Sequence, residues 1–223
     1  MESPFWATLG VVSAVSIDQV LIKAQELGFI GPRPPQEQLD HAVAFSNLVI
    51  NGHSLVAEKV NFLDLGSGGG LPGLVLALMA PNWQGCLLDA QERRTQFLQE
   101  AILDLNLGDR LVVVRERAEA AARMDQYRGQ FSLVVARSFA SPPVTAECAV
   151  GFLTIGGRLV VSEPVSSPGD VPRWPENGLG LLGFGPAEIV SGGGASIATV
   201  KLLNKIADRW PRRTGIPTKR PLW

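Results

Sequence analysis

The chain has 223 residues, 46% of them hydrophobic, and a formal net charge of −1. A chain this long can bury roughly 70–75% of its unfolded surface, which suits one α/β domain with an appendage. Two cysteines far apart (Cys86, Cys148) and two histidines (His41, His53) exclude a disulfide framework, a cysteine zinc site and a multi-histidine metal centre, and they suit a reducing compartment.

The apolar run Phe5 to Ile17 has no basic segment before it and meets Asp18 too soon to cross a bilayer. Neither a signal peptide nor a membrane span is expected, and the reading is a cytoplasmic protein. Ser16 to Gly28 is predicted as a helix, with Ser16 and Gln19 forming a capping box and Gly28 the stop. Ile17, Val20, Leu21, Ala24 and Leu27 form its apolar face. Gly31 to Pro35 breaks the chain, and Pro35 opens a second helix to Asn51-Gly52 with the stripe Leu39, Ala42, Val43, Ser46 and Ile50. His41, Phe45 and Leu48 fall on its other side, where spacing favours a surface or tertiary contact over a cleft.

Asn61 to Gly73, NFLDLGSGGGLPG, organises the rest of the chain. It reads as a buried strand, a glycine turn, and a helix with Pro72 in its first turn. Gly66, Gly68, Gly69 and Gly70 let the backbone bend with φ > 0 and let a ligand lie against it, while the helix start aims N–H groups at that ligand. A turn without a ligand is disfavoured, because four glycines in five positions cost folding entropy. A dinucleotide fingerprint fails when counted from Gly66. Counted from Gly68 it matches to Gly73, two residues late and with Pro72 inside. Asp64 before the glycines, and Asp89 ending the next strand, suit S-adenosylmethionine better, with Asp89 accepting both ribose hydroxyls. Ser67 and Gly68 belong to the same cofactor turn.

Strand–helix alternation continues. Strands are predicted at Gly85–Asp89, Arg110–Val114, Phe131–Ala136 and Arg158–Val161, the last after a turn at Gly156-Gly157. Helices are predicted at Gln91–Leu107, stopped by Gly108, and at Pro143–Leu153. Ser162 to Gly185 reads as a long loop. Strands near Ala187–Val190 and Ile197–Leu203 form a hairpin around SGGG. The expected fold is α/β: a class I methyltransferase-type, Rossmann-like seven-stranded mostly parallel sheet with a terminal β-hairpin. A helical cap (1–55), a main domain (56–210) and a basic arm (211–223) are the expected parts.

Charge is uneven. From Lys201 onward seven basic residues face one acid, and the preceding 200 residues carry −7. A basic tail on an acidic body points to a polyanionic partner. With Pro211, Pro217 and Pro221 the tail is expected as an extended surface arm, its Arg212, Arg213, Lys219 and Arg220 on phosphates. A chain ending at Trp210 would then keep cofactor binding and lose affinity for that polyanion.

These motifs resemble the bacterial small-subunit (16S) rRNA guanine-N7 methyltransferase family RsmG (GidB). The resemblance rests on DLGSGGGLPG (64–73), LLDAQERRTQFLQE (87–100), RAE (117–119), FSLVVARSFA (131–140), GGRLVV (156–161) and PRRTGIPTKRPL (211–222). It implies methyl transfer from S-adenosylmethionine to a guanine of the 530 loop. It also implies 16S rRNA or the small ribosomal subunit as partner, no DNA or membrane partner, and a monomer. Gly66 and Leu71 would line the methionine side, Ala118-Glu119 would hold the adenine edge, and Arg137 would face the site. His41, Arg117 and Arg137 would orient RNA, with no residue acting as acid or base and no metal. For Arg117 an ion pair with Glu116 or Glu119 competes. The family's W-N-x-x-x-N-L-T type segment is absent, and Ser162-Glu163-Pro164 stands where a Lys-Gly pair is common. Two other readings remain open: a catalytically inactive module of this fold that binds RNA or a partner, and a NAD-dependent oxidoreductase.

Overall fold

The computed structural model describes residues 15–52, 60–164 and 171–223. Most of the apolar N-terminal run, His53 and part of the expected long loop lie outside them. Two helices come first, α1 (Ile17–Glu26) and α2 (Pro35–Gly52). The Ser16–Gln19 capping box forms in both directions, and Gly28 has φ +71°. The sheet contains β1 (Asn61–Leu65), β2 (Gln84–Asp89), β3 (Leu111–Arg115), β4 (Phe131–Ala136), β5 (Leu153–Ser162), β6 (Phe184–Gly192) and β7 (Ala195–Leu202). Between them lie α3 (Gly73–Met79), α4 (Glu92–Asp104), α5 (Ala118–Ala121), α6 (Pro142–Val150) and α7 (Glu176–Leu181), and α8 (Ile216–Lys219) comes after the last strand.

Strand order is β3-β2-β1-β4-β5-β7-β6. The first five strands are parallel, and β7 runs antiparallel to both neighbours. Gly193 and Gly194, both at positive φ, make the tight turn between the last two strands, where right-handed strand twist favours such a pair. Side chains alternate between two buried layers. Leu63, Leu65, Val134, Ala136, Leu159 and Val161 join one core with α5 and α6. Phe62, Leu87, Leu133, Val135 and Val160 join the other with α3, α4 and residues of α1 and α2. Both faces of a parallel sheet are covered, which is why its strands read as nearly continuous apolar runs. Among the described residues no helix is long and apolar enough to cross a membrane.

Several local expectations are corrected. Pro72 sits just before α3, not inside its first turn, and the Asp64 carboxylate accepts the Gly73 N–H at 3.0 Å. The helix expected to reach Leu107 ends at Asp104, and Asn106, not Gly108, takes the left-handed backbone (φ 53°). Asn can do this because its short polar side chain tolerates that conformation. Leu153 begins a strand and does not end a helix. Gly156-Gly157 lies within that strand, near an irregularity in its pairing with β4. The expected loop contains α7, whose Leu179 is buried. Phe45, placed on the half-apolar side of α2, is fully buried.

The largest correction is the tail. It is not an extended arm. Trp210 and Pro211 are buried, and Arg128 Nη1 donates to Trp210 O at 3.0 Å. Glu147 on α6, with no exposure, accepts from the Arg212 backbone N–H (2.9 Å), Nε (2.8 Å) and Nη2 (2.6 Å). Trp223 Nε1 donates to Arg173 O at 3.1 Å, and a Cβ on Gly178 would strike the Trp223 ring at 2.4 Å. Pro217 lies in the first turn of the short α8, and buried partners rather than solvent decide where the segment goes.

Candidate active site

A cleft opens at the carboxyl ends of the parallel strands, where strand order reverses between β1 and β4, the usual ligand position in such sheets. Its wall includes Gly66 after β1, Asp89, Ala90 and Gln91 after β2, Glu116 to Glu119 after β3, and Ser138 to Ala140 after β4. Val144 and Cys148 of α6 and Thr218 of α8 complete it.

Backbone amides build the acidic corner. Asp89 Oδ2 accepts from Gly68 N–H at 3.0 Å and Oδ1 from Gln91 N–H at 2.9 Å. Each carboxylate oxygen keeps a further lone pair. Arg94 Nη1 stands 3.6 Å from Oδ2. Leu88 O accepts from the N–H groups of Gly66 (2.9 Å) and Ser67 (3.0 Å), tying the glycine turn to the end of β2.

The glycines divide by what they face. Gly66 (φ +75°) lines the cleft, and a Cβ there would lie 2.4 Å from the Phe139 ring. A Cβ on Gly69 would lie 2.4 Å from Ile30 Cγ2, and the nearest atom to one on Gly68 would be Phe29 O. Gly70 meets Leu74. Only Gly66 of the turn meets the expectation of a ligand against the backbone. The others admit the chain after α1 or a neighbour in α3. Of the fingerprint glycines, a Cβ on Gly70 would meet Leu74 and one on Gly73 would meet Asp64 and Leu87, while Gly68 has ordinary room beside Phe29 O. None of the three lines the cleft, which does not favour the dinucleotide reading.

Asp64 lies beneath the turn, fully buried, and burial pushes its carboxyl up to about 7. Its Oδ1 has no hydrogen-bond partner among the described residues. Ser67 Oγ donates to Asp64 O at 3.0 Å. Leu71 is buried with Leu21, Leu39, Ala42 and Val75, away from the cleft lining. Arg137 donates from Nη2 to Gln38 Oε1 at 2.8 Å and from Nη1 to Gln38 O at 3.3 Å, so it joins β4 to α2. His41 is half-buried near Arg137 and Arg33. Burial first, then those two charges, hold its imidazole below its ordinary pKa. Its Nδ1 is buried without a partner among the described residues. Arg117 precedes α5, exposed, with Nε 3.9 Å from Glu119 Oε2. Glu119 is buried and accepts the Gly215 N–H at 2.8 Å. Glu163 pairs with Arg173 at 2.6 Å. Arg213, Lys219 and Arg220 are exposed, whereas Arg212 is engaged by Glu147.

Sequence reasoning missed Phe139, Ser138, Gln91, Arg94, Val144, Cys148 and Thr218. Ser138 holds φ 54°, rare for a non-glycine residue, and the bend brings Phe139 over Gly66. The run RSFASP directly after a strand could have signalled this. Nothing local marks Thr218, which the tail's return path brings in.

The strand order and the cleft at its reversal have the class I methyltransferase architecture. Solved structures of that architecture are similar: a candidate S-adenosylmethionine-dependent methyltransferase of Methanococcus maripaludis (TM-score 0.62, 18% identity, 82% of this chain and 93% of that one) and one of Aquifex aeolicus (0.55, 14%, 82% and 98%). Residues 17–163 match the model of the family GidB, rRNA small subunit methyltransferase G, and the chain belongs to that family. Proteins named ribosomal RNA small subunit methyltransferase G are 33% identical in Dictyoglomus thermophilum (82% of this chain, 77% of that protein) and 34% identical in Deinococcus deserti (72% and 68%).

Proposed function

We propose that this chain transfers a methyl group from S-adenosylmethionine to N7 of a guanine in the 530 loop of 16S rRNA. Family membership makes it an S-adenosylmethionine-dependent methyltransferase of small-subunit rRNA. The observation that carries the cofactor assignment is Asp89, fixed by two backbone N–H groups at the end of β2 with lone pairs left for two ribose hydroxyls. Gly66 lines the same cleft beside Phe139, and a side chain there would drive the Phe139 ring out of its place in the wall. Ala118 and Glu119 would hold the adenine edge. Asp64, Ser67, Gly68 and Leu71 would act from beneath, shaping the turn.

When bound, the cofactor supplies an electrophilic methyl group. Guanine N7 carries a ring lone pair and no proton, so no side chain need act as a base. The work left to the chain is alignment and exclusion of water, with the base splayed from its RNA context. Arg137, set by Gln38, together with Arg117 and His41 would orient the nucleotide. His41 is suited to this as a neutral group, because burial and two arginines disfavour its protonation. Arg213, Lys219 and Arg220 would contact phosphates. The cap (1–55), main domain (56–210) and tail (211–223) serve as RNA wall, catalytic body and closing segment, and the chain would act as a cytoplasmic monomer.

Mapping methylated nucleotides of 16S rRNA by mass spectrometry, in cells with and without the gene, tests this. The N7-methylguanine should vanish with the gene and return with the wild-type chain but not with Arg137→Ala. Unchanged rRNA in the deletion strain would refute the assignment.

A further inference from the structure

The tail, residues 211–223, stands out in the sequence by its charge, yet the fold gives it a neighbour other than solvent. Thr218 forms part of the cleft wall together with Ala118, Glu119, Val144 and Cys148. The Gly215 N–H holds Glu119 Oε1 at 2.8 Å. Upstream, Arg212 grips the wholly buried Glu147 with its fork and its backbone N–H, and Arg212 Nη2 also donates to Arg220 O at 2.7 Å. Arg123 donates to Arg209 O at 3.0 Å and to Pro211 O. Pro217 is buried. The segment is thus held at several points along its length, and its middle lies against the cleft.

Which end of the cleft it covers is set by topology. Gly66 leaves β1, Asp89 ends β2, and Ala118 and Glu119 come after β3, the outermost strand on that side. A nucleoside whose ribose hydroxyls meet Asp89 lays its base over the β3 side. That is where Glu119 and the tail meet. We infer that residues 215–218 close the purine side of the cofactor cleft, with Thr218 touching the bound nucleoside and Gly215 setting the Glu119 carboxylate. This rests on the assignment of S-adenosylmethionine to the cleft. It reverses the expectation that a chain ending at Trp210 would bind cofactor normally: removing the tail removes a wall and frees Glu119.

Thr218 is exposed, so a larger side chain there can be accommodated without repacking the core. The test is calorimetric titration of the full chain with S-adenosylhomocysteine and, separately, with 5′-methylthioadenosine, which keeps the nucleoside and lacks the amino-acid part. Thr218→Trp should weaken both by about tenfold or more while melting like the wild type. Thr218→Leu should weaken both several-fold, and it decides the matter if the tryptophan variant fails to fold. A loss confined to S-adenosylhomocysteine would place the tail at the amino-acid end and overturn the inference. So would unchanged affinity for both ligands, or a folded chain ending at Trp210 that binds as the wild type does. A wild-type chain that binds neither ligand would instead overturn the cofactor assignment itself.

Discussion

Replacing Arg212 by alanine should be among the most damaging single changes outside the sheet. Glu147 has no exposure and accepts three hydrogen bonds, all from Arg212. The variant keeps the backbone N–H and loses the two from the guanidinium, leaving a desolvated carboxylate without its counter-charge. Breaking a buried pair in this way costs about 3–5 kcal/mol. The Arg212 side chain is 25% exposed, so water reaches part of the pair and the lower half of that range applies. For a chain of this size about 2–4 °C of melting temperature accompanies each kcal/mol. The expected fall is then roughly 6–16 °C, read by far-ultraviolet circular dichroism at neutral pH. Arg212→Lys keeps the charge without the fork and should fall less. Glu147→Gln combined with Arg212→Ala should recover much of the loss, since no uncompensated charge remains and the amide oxygen still accepts from the backbone N–H at position 212. If Arg212→Ala melts within about 2 °C of the wild type, or the double variant is no better than the single one, the pair does not anchor the tail as described.

The turn after β1 yields two further expected outcomes. Gly66→Ala should abolish measurable binding of S-adenosylhomocysteine, because a Cβ there meets the Phe139 ring at 2.4 Å and alanine at φ +75° costs about 1–2 kcal/mol, and wild-type affinity in calorimetry would refute the close approach. Asp64 gives a pH dependence: burial raises its folded pKa from 3.8 to about 7, so the folded state holds the proton more tightly than the unfolded one. Its contribution is full below the unfolded value and is lost as pH rises through about 7. The urea midpoint of the wild type relative to Asp64→Asn should therefore decline across that window, and a difference independent of pH would show that Asp64 does not titrate there.

The sheet was legible because its inner parallel strands are covered on both faces and announce themselves as short apolar runs between breakers, as Phe131 to Ala136 does. The capping box at Ser16 was legible because its chemistry is local. What failed to show was decided at long range. Four glycines in a turn imply room for something, but only the packed chain distinguishes Gly66, which faces the cleft, from Gly69, which admits Ile30. Charge counting on the tail could not reveal that Arg212 has a buried acid waiting 65 residues earlier. Leu153 reads as the end of an apolar helix until its pairing with Phe131 in β4 makes it a strand.

The tail's return has a consequence in time. Glu119 meets Gly215 across 96 residues, and Thr218 of the same cleft wall follows Gly215 closely in the chain. Synthesis runs from the amino end and folding tends to keep the same order. The sheet can therefore assemble while one wall of its cleft has not yet been made. A nascent chain that has reached only β7 holds Asp89 and Gly66 in a groove that still lacks the wall Thr218 supplies.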